Sequence, residues 1–155
     1  MLMSTINSQT KQNGNTLLEA LVALLIFSIG LVGILGIQLS SIKNSIDAKY
    51  RSDASFLANQ IIGQMWVDRS NIDNYAYNDS GATCGSTTSG GAGNTNVTNW
   101  LGNLDSVLPG TALAKSKIEI STPIATTKLV KVTICWQSPK DTSAHNFAMT
   151  AQINQ

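Results

Sequence analysis

Charge is scarce in this chain, and unevenly placed. Only 12% of its 155 residues are Asp, Glu, Lys or Arg, about half the share usual in soluble domains. Ten basic and nine acidic residues leave a net charge of +1, with no basic run. That composition lacks the electrostatic footprint of a nucleic-acid binder, so no nucleic-acid partner is expected. Cysteine and histidine are also scarce. Cys84, Cys135 and His145 fall short of a four-ligand Cys/His zinc site. No nucleophile-elbow pattern occurs and no two carboxylates sit close together, so no active-site constellation emerges. His145, between Ala144 and Asn146, reads as a solvated turn residue. The expectation is a protein that is not an enzyme and holds no cofactor or metal.

Proline is absent from positions 15–71, and charge is absent from 20–42. The uncharged run is mostly Leu, Ile, Val, Ala and Gly. As a helix it would extend about 34 Å, enough to cross a hydrocarbon core of about 30 Å. A cleaved secretory signal has a shorter apolar core. A buried helix of a soluble protein is the other competitor, but such helices seldom run this long without a charge. Counting Lys and Arg alone (Lys11 before the run; Lys43, Lys49 and Arg51 after it) would place the C-terminal side in the cytoplasm.

Past Lys43 the pattern changes. Ile42, Ile46, Tyr50, Ala54, Leu57, Ile61 and Met65 recur at steps of three and four, which is one stripe of an α-helix. The spacing predicts one helix from Thr16 to about residue 71, apolar all round in its first half and amphipathic in its second. Gly30, Gly33 and Gly36 suit close helix approach or a local weak point. Residues 78–99 read as a Gly/Ser/Thr/Asn loop. A short helix follows, capped by Thr98 or Asn99 and ended by Pro109-Gly110. Three strands come next: "KIEI", "KLVKVTICWQ" and "NFAMTAQI". The second alternates, with Val130, Val132, Ile134 and Trp136 on one face and Cys135 on the other. The third groups Phe147, Met149, Ala151 and Ile153. The expected fold is α+β: a long N-terminal helix packed on a small C-terminal antiparallel sheet. Cys84 and Cys135 are either a disulfide, pinning the loop to the sheet's outer face, or two buried thiols.

The segment "NGNTLLEAL" places Glu19 at the edge of the apolar run. Thr16-Leu17-Leu18-Glu19 fits a capping box with Thr16 as N-cap. The larger arrangement also resembles a known family. A short polar leader with a Lys, a Gly, then a Thr-Leu-x-Glu segment and about 20 apolar residues is similar to the class III signal of type IV prepilins. "TLLEALVALLIFSIGLVGILGIQ", "YRSDASFLANQIIGQMWVDRSN", "LPG" and "LVKVTICW" resemble the PilV group of minor pilins.

The resemblance implies a pilin-like fold and cleavage after Gly14 by a prepilin peptidase on the cytoplasmic side. The new N-terminus would be Asn15, which would be N-methylated; the family usually has Phe there. It makes Glu19 the assembly carboxylate. The expected organisation is a leader (1–14), a transmembrane and filament-core helix (15–42), and a periplasmic globular domain (43–155). The N-terminus would lie inside, against the Lys/Arg count. The expected location is the inner membrane before assembly and the cell surface afterwards. Expected partners are other minor pilins, the major pilin, the prepilin peptidase and the inner-membrane assembly platform, with a tip adhesin as a further candidate. The expected role is pilus assembly and adhesion. A type II secretion pseudopilin and a DNA-uptake pilin are the alternatives.

Overall fold

The structure is a computed structural model that describes residues 15–80, 82–85, 91, 93–112, 115–139 and 141–154. Residues 1–14, the expected leader with Gly14, lie outside the described residues, as does much of the glycine-rich loop. Helix α1 spans Asn15–Val67, a 3-10 helix spans Arg69–Tyr75, and α2 spans Thr95–Val107. Strands β1 (Lys117–Ile124), β2 (Thr127–Trp136) and β3 (His145–Asn154) follow. The chain divides into two compact units, one ending at Ser45 and the other running from Ile46 to Gln155.

In the first unit the described chain is α1 alone. Every residue from 15 to 45 is exposed. The helix is long and apolar enough to cross a membrane, and its most apolar window is 0% buried. The core helix of a soluble protein would be mostly buried within its own chain, and this window is not. A Cβ added at Gly30, Gly33 or Gly36 would meet nothing within 4 Å, so no contact among the described residues requires these glycines.

In the second unit, α1 buries Ala54, Leu57, Ala58, Ile61, Ile62 and Met65, with Tyr50 half-buried. Ile42 and Ile46, counted in the sequence stripe, are 57% and 44% exposed; contact with the core starts one turn later. The helix also stops at Val67 rather than near residue 71. Asp68 leaves helical geometry, and its carboxylate accepts from Asn71 Nδ2 (2.7 Å) and Tyr75 Oη (3.1 Å). Those bonds favour the tighter 3-10 turn, which buries Ile72 and Tyr75.

Helix α2 starts at an Asn94 N-cap, whose side chain accepts from Asn96 N, rather than at Thr98 or Asn99. Extended φ/ψ at Asn94 (−129°, 133°) suits a cap. Trp100 is buried and its Nε1 donates to Leu57 O at 2.9 Å, fastening α2 to α1. The helix ends before Pro109-Gly110 as the sequence implies.

The sheet is antiparallel in the order β1-β2-β3. Its register aligns Ile118, Val132 and Met149 in one row and Ile120, Val130 and Ala151 in the next, with Ile134 opposite Phe147. This apolar face and the α1 stripe form one core with Trp100, Leu104 and Leu108. The architecture is a long apolar N-terminal helix with a small three-stranded antiparallel sheet, an α+β pilin-like arrangement.

Candidate functional site

The first candidate is the beginning of α1. Asn15 is already helical, so Thr16 lies within the helix and is not its N-cap. The capping-box role read for Thr16 and Glu19 is corrected accordingly. Asn15 and Glu19 are four residues apart, hence on one face about 6 Å along the axis. Glu19 has neither a hydrogen bond nor an ion pair among the described residues. Around it, Leu17, Leu18, Leu21 and Val22 are 48–71% exposed. Hydrocarbon around such a helix makes a lone carboxylate costly, about 3 kcal/mol or more at mid-bilayer. A cation presented at the level of Glu19 would offset that cost.

The second candidate gathers around the disulfide. Cys84 and Cys135 are bonded, with Cα atoms 5.4 Å apart. Cys135 is fully buried yet stands outside the apolar core cluster, on the sheet's other face. Cys84 has φ +56°, a backbone region few side chains adopt. Its sulfur lies 3.8 Å from the His145 carbonyl oxygen.

His145 is not the solvated turn residue the sequence suggested. It opens β3 opposite Trp136 and stacks on that indole at 5.9 Å. Its Nε2 is 3.0 Å from Asp141 Oδ2, and its Nδ1 is 3.9 Å from Asp47 Oδ1. Asp47 also accepts from Arg51 Nε at 3.0 Å. A signal existed in the sequence: residues 145, 147, 149 and 151 share one strand parity, so His145 continues the Phe147–Met149 row.

Two further features lie elsewhere in the second unit. Tyr77 is buried beside β1, and burial pushes its phenol above the ordinary value, with the Asp105 carboxylate adding to the shift. A shallow groove is lined by Gln60, Gly63, Gln64, Val67, Asp68 and Asn96. Its one carboxylate, Asp68, is already engaged by Asn71 and Tyr75. Among the described residues, no three His, Cys, Asp or Glu side chains converge as a metal site.

Residues 9–35 match the family model described as the prokaryotic N-terminal methylation motif. No curated protein and no solved structure matches the chain. The matched segment runs into the exposed apolar part of α1, and both are consistent with membrane insertion. Together with the α+β arrangement, the motif supports a type IV pilin-like prepilin.

Proposed function

We propose that this chain is a minor subunit of a type IV pilus, of the PilV group, with no enzymatic activity of its own. It enters the inner membrane through α1 with its N-terminus in the cytoplasm. A prepilin peptidase cuts after Gly14 and methylates Asn15. The subunit then joins other minor pilins and the major pilin on the assembly platform, supports filament initiation, and contributes to adhesion at the tip. One observation carries this reading. The methylation motif at 9–35 coincides with a helix on which every residue from 15 to 45 is exposed, Glu19 included. Cleavage before Asn15 frees an α-amine with an ordinary pKa near 8, mostly protonated at neutral pH. In an apolar helix bundle, that amine on one subunit and Glu19 on its neighbour neutralise each other. Losing one partner of such a buried pair costs about 3–5 kcal/mol, so the pair fixes axial register.

Intact mass of the protein recovered from cells tests the processing. The expected mass lacks residues 1–14 and carries one added methyl group; a chain beginning at Met1 would refute the reading. Glu19→Val is expected to be processed normally yet to be lost from purified pili. Wild-type incorporation of that variant would remove the pairing role. A secretion pseudopilin would share Glu19 and the helix. Recovery of the chain from sheared surface pili separates the two.

A further inference from the structure

The two ends of the Cys84–Cys135 bond sit in different surroundings. Cys135 is 0% exposed. It lies near the end of β2, opposite Asn146 of β3, and its N–H donates to Ser116 Oγ at 3.1 Å. Cys84 belongs to a turn outside every helix and strand, and it keeps part of its surface in solvent. Its φ of +56° is a backbone region that persists for a residue with a side chain only where the surroundings impose it.

Little else fastens that turn. Within it, Gly85 N–H donates to Ala82 O at 3.1 Å. From outside, Lys115 N–H donates to Gly85 O at 3.1 Å. Among the described residues, that bond, the disulfide and the 3.8 Å approach of Cys84 Sγ to His145 O are the covalent and polar links from residues 82–85 to the rest of the domain. The apolar core cluster contains neither cysteine. The sheet's strand pairing and its core therefore do not run through this bond, whereas the placement of the turn does.

We propose that Cys84 Sγ is a thiol-exchange site, at which an external dithiol opens the disulfide and frees the turn. Exchange begins with a thiolate attacking one sulfur, and access decides which. Cys135 offers an attacker no surface, so the attack falls on Cys84. A bond forms from the incoming thiolate to Cys84 Sγ as the Cys84–Cys135 bond breaks. Cys135 leaves with the electron pair and takes up a proton. The second thiolate of the dithiol then attacks its own partner's sulfur in the mixed disulfide, and Cys84 leaves as the second thiol. The dithiol's two electrons have reduced the bond, its two protons are on Cys84 and Cys135, and it departs as a disulfide. Exposure and imposed strain are the two features that mark an exchangeable disulfide, and Cys84 has both. Run backwards, the same path forms the bond, with Cys84 carrying the oxidant and Cys135 displacing it. The proposal does not depend on cleavage at Gly14 or on pairing by Glu19.

The test uses the oxidised full chain in detergent micelles, without denaturant, and reduced glutathione as the probe. Samples taken over time are quenched with N-ethylmaleimide in urea, and the modified residues are read by peptide mass mapping. The first adduct is expected to carry glutathione on Cys84 and maleimide on Cys135, exceeding the opposite arrangement about tenfold or more. Cys135→Ala has no internal thiol to expel the probe, so it is expected to retain the adduct on Cys84 after incubation with glutathione disulfide. In the wild type reduced with dithiothreitol, hydrogen exchange at the Lys115 amide is expected to quicken while the amides paired between β2 and β3 stay protected. The proposal is overturned if glutathione appears first, or in comparable amount, on Cys135, or if no adduct forms short of denaturant. Loss of protection at Lys115 and in the β2–β3 ladder together also overturns it, because opening would then be global unfolding. The wild-type adduct map alone decides the site should the alanine variant fold poorly.

Discussion

Breaking the Cys84–Cys135 bond should cost this small domain a large part of its stability. The two residues are 51 apart in sequence, and the loop they close contains all of α2 and β1. In the chain-entropy model, a closure of that length removes about 14 cal/mol/K from the unfolded chain, or about 4 kcal/mol at 25 °C. Two smaller effects act on the folded side. Cys135 is fully buried, so Cys135→Ala leaves a small void of about 1 kcal/mol. Cys84 holds φ +56°, and removing the cross-link lets it relax. The expected net loss for the Cys84→Ala, Cys135→Ala pair is therefore about 3–5 kcal/mol, out of the 5–15 kcal/mol typical of a domain. Urea unfolding of the full chain in micelles, followed by Trp fluorescence and compared with the oxidised wild type, measures it. Reduction with dithiothreitol should reproduce the variant's midpoint. A loss under about 1 kcal/mol with unchanged denaturant slope would mean that the unfolded chain gains little freedom from the cut, contrary to the loop-entropy reasoning.

Three other substitutions probe separate parts of the core. Gly110 has φ +66°, and an added Cβ would stand 2.3 Å from Gln137 O; Gly110→Ala is expected to cost more than about 2 kcal/mol, and a wild-type urea midpoint would refute the close approach. Trp100→Phe removes the bond to Leu57 O and some packing, an expected loss of about 1–3 kcal/mol by the same assay. For Tyr77, burial first and Asp105 second raise the phenol's pKa above 10.0, so the folded chain holds that proton more tightly than the unfolded one. Its contribution is complete below the unfolded value and fades as pH rises through the folded value. Tyr77→Phe should flatten that alkaline loss relative to wild type in Tm against pH, and identical slopes would contradict the assignment.

Much of the fold is legible because apolar spacing speaks directly. Val130, Val132, Ile134 and Trp136 alternate without interruption, and the structure buries all four. Ala54, Leu57, Ile61 and Met65 announce a helix face in the same way. The start of that face is not legible. Ile42 and Ile46 keep the period yet remain exposed, since periodicity reads the same whether lipid or protein lies opposite. Side-chain oxygens decided two boundaries against the pattern: Asn94 capped α2 ahead of Thr98, and Asp68 turned the chain into a 3-10 helix. At the candidate sites, Glu19 is conspicuous as the carboxylate that opens an uncharged run. His145 was hidden because its neighbours Asp47 and Asp141 come from different elements, and only the fold brings them to one imidazole.

The central position of β2 sets an order of events during synthesis. Both other strands hydrogen-bond to it, and its buried side chains share one core with those of α1 and α2. Those helices are translated first, yet their apolar faces lack a complement until Trp136 has been made. A nascent polypeptide stalled before that residue would thus display sticky surface to chaperones and proteases, and nonsense codons even late in the gene should yield degradation rather than a shortened but usable product.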